Sequence, residues 1–135
     1  MIEIHAVTKS YDDGRPALAD LTLSVAEGEA LAVLGPSGSG KSTLLNLVAG
    51  LDRPTRGTVA VAGTRVDGLS ETALARYRRA RVGMVFQFFN LLDDLTVLDN
   101  VLLPAQLART SHRAARDRAA ELLGRLGTAA RGTWR

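Results

Sequence analysis

Residues 35–42 read Gly-Pro-Ser-Gly-Ser-Gly-Lys-Ser, and no other stretch limits the fold of this chain as tightly. They fit the pattern G-x-x-x-x-G-K-[ST] in full. Before them runs Ala30-Leu31-Ala32-Val33-Leu34, apolar on every side chain, the signature of a central strand covered on both faces. After them Leu44, Leu45, Leu47 and Val48 recur at helical spacing, and Gly50 stands where a helix stop belongs. A strand, a glycine-rich loop and a helix in that order place a helix N-terminus opposite the loop. Glycines let the loop backbone turn its N–H groups inward, and the helix adds free donors and the positive end of its dipole. Together these groups form a site for an anion, and the residue types specify phosphate. Gly35, Pro36, Ser37, Gly38, Ser39, Gly40, Lys41, Ser42 and Thr43 are therefore the candidate phosphate-binding residues. Lys41 supplies a charge for β- and γ-phosphates. The Ser42 hydroxyl is a candidate ligand for Mg²⁺, an ion that keeps most of its waters and needs few protein ligands.

The flanking sequence supports an α/β domain. Ile2, Ile4 and Ala6 alternate with Glu3 and His5, as in a half-buried strand. The stretch SYDDGRPA (10–17) is a turn. Leu21, Leu23 and Val25 alternate as a second strand, closed by a Glu27-Gly28 turn. GTVAVAG (57–63) predicts a short strand bracketed by glycines, and VGMVFQ (82–87) another apolar one. Helices are expected over 70–81, with Ser70 as cap and Glu71 in the first turn, and over 96–108 and 111–127. Gly127 to Arg135 shows no periodicity and reads as a tail.

Composition narrows the function classes. With no Cys there is no disulfide framework and no thiolate metal site. His5 and His112 have no metal-like partners at suitable spacing. The N-terminus lacks a secretory pattern, and no apolar run approaches the roughly 20 residues that span a bilayer, so a cytosolic chain is expected. Net charge is +3, and Arg76, Arg78, Arg79 and Arg81 form the densest basic group. Without an aromatic platform beside it, this group reads as a solvated helix face, and no nucleic-acid partner is expected.

Around the loop the residues resemble the ATP-binding subunit of an ABC transporter. Tyr11 stands where that family places an aromatic that stacks on adenine. VGMVFQFFNLLDDLTVLDNV (82–101) resembles the family's Q-loop, with Gln87 as the glutamine directed at Mg²⁺ and the attacking water, its one candidate catalytic role. The wording of 84–103 is most similar to the macrolide-exporter and lipoprotein-release branch. The resemblance covers residues 1 to about 126. It implies a P-loop NTPase (RecA-like) core with an N-terminal antiparallel β-subdomain and the start of a helical subdomain, incomplete at the C-terminus. On that basis 1–126 is a partial ATP-binding domain and 127–135 an irregular tail. ATP and Mg²⁺ are the implied cofactors. The implied partners are a transmembrane permease, docking near 87–103, and a second ATP-binding subunit joined head to tail. The implied location is peripheral, on the inner face of the cell membrane.

Several family motifs are missing from these residues: the LSGGQ-type signature, the apolar strand ending in Asp-Glu, the Asp-containing loop and the switch His. Asp93-Asp94 is a poor substitute for the acidic pair, since only Leu91 and Leu92 directly precede it; a solvated turn is expected. Phe88 and Phe89 read as core or partner-contact residues. The chain is thus expected to hold nucleotide without cleaving it alone. A non-hydrolysing regulatory module and a nucleic-acid-associated P-loop ATPase are the alternatives.

Overall fold

The structure, a computed structural model, describes residues 1–11, 14–88 and 90–127. They fall into two compact units, Met1–Arg78 and Arg79–Arg135. In the first, strands β1 (Ile2–Ser10), β2 (Pro16–Val25), β3 (Arg56–Val61) and β4 (Thr64–Arg65) form one antiparallel sheet in the order β2-β1-β3-β4. Helix α1 (Lys41–Val48) packs on this sheet. Its Leu44 and Leu47 join Ile4, Val7 and Val59 in a buried cluster, edged by Ile2, Leu18, Leu21, Leu23 and Val48. Fully burying one such side chain contributes about 1.5–3 kcal/mol.

Strict alternation along β1 would put Ile2, Ile4 and Ala6 on one face. Instead Val7 is wholly buried, and Ala6 is turned out of the ladder at φ 48°. The register with β2 shifts between Ile4 and Val7, so an extra residue is accommodated there and the inward position moves along by one. The freed Ala6 amide donates to Thr22 Oγ1 at 3.0 Å. Asp20, also at φ 48°, repeats the device on β2, its amide donating to Thr8 Oγ1 at 3.2 Å. Each threonine hydroxyl replaces an acceptor that the interrupted ladder no longer supplies.

The helix stop after α1 lies at Gly50, which adopts φ 65° and donates to Leu47 O. Helix α2 (Glu71–Arg81) begins beside Ser70, whose hydroxyl accepts from the Ala73 amide. It anchors to the end of α1: Tyr77 Oη donates to Val48 O at 2.7 Å, and Arg78 to Gly50 O at 2.5 Å. Arg78 thus has a backbone partner, whereas Arg76, Arg79 and Arg81 are exposed.

The second unit contains α3 (Val97–Leu107) and α4 (His112–Arg125), which pack through Leu102, Ala115 and Ala119. Thr96 and Asp99 form a reciprocal capping box at the start of α3, and Ser111 caps α4.

Two expected strands are corrected. Residues 30–34 and 82–87 join no ladder among the described residues. Leu34 is 90% exposed and Val85 fully exposed. A continuous apolar run marks a segment suited to cover on both faces, but a strand exists only where a neighbouring backbone completes its hydrogen bonds. Neither segment has such a neighbour among the four described strands. Phe88, expected in a core or at a contact, is 82% exposed, and Phe89 lies outside the described residues. The turn reading for 10–17 falls partly on Asp12 and Asp13, and the tail on 128–135, also outside them.

Candidate phosphate-binding site

The loop of residues 35–40 leads directly into α1. Gly40 is the residue before the helix and takes the left-handed conformation, φ 86°. A Cβ there would collide with the carbonyl oxygen of Ala17 and lie 2.9 Å from Leu18 Cδ2. Gly40 therefore lets the loop turn into the helix and lets the helix start sit against β2. Only glycine meets both demands without strain.

Among the described residues no side chain caps the N-terminus of α1, and its first turn carries no acid. The first amides of a helix have no intrahelical partner, so this end presents free donors and positive potential. Lys41, in the first turn, folds back over the loop. Its Nζ donates to Gly35 O at 2.8 Å, to Pro36 O at 2.7 Å and to Ser39 Oγ at 3.3 Å. The ammonium is thereby held over the loop's own carbonyls. Ser37, Gly38, Ser39 and Ser42 are exposed along this rim, and Thr43 is half-buried. The residues fit a nucleotide phosphate group: an uncapped helix end, a glycine-turned loop, a cation at its centre and an accessible hydroxyl on Ser42.

Tyr11 follows the last residue of β1 and is about half exposed. Ser10 pairs with Pro16 and Lys9 with Leu18, so Tyr11 leaves the sheet beside the stretch of β2 that Gly40 touches. Its hydroxyl donates to Asp52 Oδ2 at 2.9 Å. Lys9 donates to the other oxygen, Oδ1, at 2.5 Å, and its Nζ lies 4.8 Å from the centre of the Tyr11 ring. Burial would raise the Asp52 pKa, but the Lys9 hydrogen bond, the Arg53 amide, the Tyr11 hydroxyl and the Lys9 charge outweigh it and hold the carboxyl below its ordinary value. Lys9 and Asp52 had no mark in the sequence. They are 43 residues apart, and neither belongs to a local motif.

Gln87 lies in the second unit, exposed, in a turn that follows residues 82–86. Asp93 and Asp94 occupy an exposed turn, as a solvated pair would. The segment from Leu92 to Thr96 is organised by Asn100 on α3. Its Oδ1 accepts from the Leu92 amide at 2.9 Å, and its Nδ2 donates to the carbonyls of Leu92, Leu95 and Thr96 at 3.0, 3.3 and 3.1 Å. Asn100 was not singled out by sequence, because its role depends on the path of the preceding turn. Among the described residues no cluster of three His, Cys, Asp or Glu is arranged to hold a metal ion, and no helix is long and apolar enough to cross a membrane.

A glycine-turned loop feeding the bare end of a sheet-packed helix, with a lysine folded over it, defines the class: a P-loop nucleotide-binding domain. Comparison with known proteins narrows it. The family described as ABC transporter matches residues 18–133. The lipoprotein-releasing system ATP-binding protein LolD of Cereibacter sphaeroides is 45% identical over 135 residues, covering 97% of this chain and 60% of that protein. The macrolide export ATP-binding/permease protein MacB of Escherichia coli is 42% identical over 130 residues, covering 94% of this chain and 20% of that protein. Among solved structures, the ATP-binding cassette MJ0796, in a dimeric post-hydrolysis state bound to ADP and Pi, superposes with a TM-score of 0.89 at 38% identity. That superposition covers 98% of this chain and 60% of the cassette. The chain belongs to the ABC transporter family, and it spans 60% of the length of its LolD relative.

Proposed function

We propose that this chain binds Mg-ATP through residues 35–43 as the ATP-binding part of an ABC transporter. The observation that carries the reading is the uncapped start of α1, approached by a glycine-turned loop and by Lys41. In this reading the γ- and β-phosphates take the place of the loop carbonyls now contacted by the Lys41 ammonium. The amides of the first helical turn donate to phosphate oxygens, and the Ser42 hydroxyl holds Mg²⁺. The ion, when bound, neutralises phosphate charge and orients the terminal phosphoryl group. Tyr11 offers its ring to the adenine, and Gln87 is the residue directed at the metal and the attacking water.

The named relatives support the partners. LolD is the ATP-binding protein of a lipoprotein-releasing system, MacB joins an ATP-binding part to a permease, and the MJ0796 cassette is a dimer. A membrane permease and a second ATP-binding subunit in a head-to-tail pair are therefore proposed here, with the chain peripheral on the inner face of the cell membrane. The test is isothermal calorimetry with ATP and Mg²⁺. Lys41→Ala deletes a charge-assisted contact of about 1.5–3 kcal/mol, so affinity is expected to fall at least about tenfold. Equal affinity in both proteins would refute the phosphate site.

A further inference from the structure

A tyrosine at the end of a strand, half exposed, is ordinarily free to turn about its side-chain bonds, and ordering it costs part of whatever stacking then gains. The Tyr11 ring is not free. Its hydroxyl is tied to Asp52 Oδ2, and the Asp52 carboxylate is tied in turn by Lys9 and by the Arg53 amide at 2.7 Å. Lys9 is itself held by a second acceptor, Arg53 O at 2.9 Å, and its side chain is only 13% exposed. The ammonium therefore lies over one face of the ring, 4.8 Å from its centre, and Tyr11 as a whole is about half exposed.

The anchor of this cluster is also specific. Leu51 and Asp52 donate their amides to Asn46 O, so Asp52 is fixed to the last turn of α1. Thr55 then joins the same segment to β1: its amide donates to Thr8 O at 2.8 Å, and its hydroxyl accepts from the Ser10 amide at 3.1 Å. The helix that begins at the phosphate loop is thus followed directly by the segment that carries Asp52, the residue that grips the Tyr11 hydroxyl. Hydrogen bonds to Asn46 O tie that segment to the helix whose other end is the phosphate-binding end.

We propose that Lys9 and Asp52 are positioning residues for base recognition, holding the Tyr11 ring in place so that adenine stacks without a prior ordering cost. The proposal rests on the reading of Tyr11 as the adenine platform. Its consequence is a selectivity for ATP over inorganic tripolyphosphate, which offers the phosphate loop the same groups but has no base.

The experiment measures Kd for ATP and for tripolyphosphate, each with Mg²⁺, on the full chain by calorimetry. The proteins are wild type, Tyr11→Ala, Tyr11→Phe, Asp52→Ala and Lys9→Met. Tyr11→Ala is expected to reduce the preference for ATP about 5- to 150-fold, the loss of one base–aromatic stack. Asp52→Ala, Lys9→Met and Tyr11→Phe are each expected to reduce it about two- to tenfold, with tripolyphosphate affinity unchanged. Tyr11→Phe removes one oxygen and keeps the ring, so it carries the test if Asp52→Ala fails to fold. If Tyr11→Ala lowers the preference while Tyr11→Phe, Asp52→Ala and Lys9→Met keep it, the positioning proposal falls and stacking stands. If Tyr11→Ala leaves the preference intact, the platform reading fails and takes the proposal with it. Parallel loss of ATP and tripolyphosphate binding would make the cluster a structural clamp. A gain in ATP affinity would mean that Asp52 holds the ring away from the base. Either result overturns the proposal.

Discussion

Two glycines of the phosphate loop share a backbone conformation but not an environment, and alanine at each should separate the two effects. Gly38 has φ 78°, and a Cβ there would meet nothing within 4 Å among the described residues. Gly40 has φ 86°, and its Cβ would meet the Ala17 carbonyl and the Leu18 side chain. The left-handed conformation costs an ordinary L-residue roughly 1–2 kcal/mol. Gly38→Ala should therefore destabilise by about that amount and no more. Gly40→Ala carries the same cost and must also move the start of α1 off β2. Leu18 can yield, but a backbone carbonyl inside a paired strand cannot shift without disturbing the ladder between Lys9 and Leu18. Overpacking of this kind typically adds about 1–3 kcal/mol. The expected total for Gly40→Ala is about 2–5 kcal/mol, against about 1–2 kcal/mol for Gly38→Ala. Urea denaturation followed by far-ultraviolet circular dichroism reads the difference. At a slope of about 1–3 kcal/mol per molar, the Gly40 variant should melt at a midpoint lower than the Gly38 variant by about 0.3–3 M. Equal midpoints would show that α1 does not lean on β2 as closely as the Gly40 contacts require.

Three further outcomes are expected. The Asp67 carboxyl is held below its ordinary pKa, chiefly by its hydrogen bond to Arg65 and also by the Val59 amide, against an opposing effect of burial. Its stabilising contribution is therefore complete above the unfolded carboxylate range and is lost as pH falls through the depressed folded value, so Asp67→Asn should flatten the acid limb of a stability–pH curve measured by urea titration; an unchanged acid limb would refute this. Asn100→Ala should cost about 1–3 kcal/mol and speed hydrogen exchange at the Leu92 amide, which loses its acceptor; unaltered exchange there would show that the 92–96 turn stands without Asn100. Phosphate release from ATP by the 135-residue polypeptide alone should match background, because its residues include no Asp-Glu strand end; steady turnover abolished by Asp94→Asn would show that the exposed 93–94 turn supplies a catalytic carboxylate.

What the sequence determined by itself was whatever depends on near neighbours along the chain. The phosphate loop is eight consecutive residues whose types are chosen by backbone conformation and charge, so Gly40 and Lys41 could be read directly. The helices were legible for the same reason: Ser70, Thr96 and Ser111 stand at their starts and satisfy amides within three residues. The fold decided whatever depends on a partner far along the chain. Alternation placed Ala6 inside, but the bulge opposite β2 moved that place to Val7, because register belongs to two strands and not to one. Apolar content marked 30–34 and 82–87 as strands, yet a strand is completed by the hydrogen bonds of a neighbour, which composition does not reveal. Tyr11 stood out by its place before the loop, while Lys9 and Asp52 did not. Their chemistry arises only when the end of α1 returns to the end of β1 and brings an ammonium, a carboxylate and a phenol into contact.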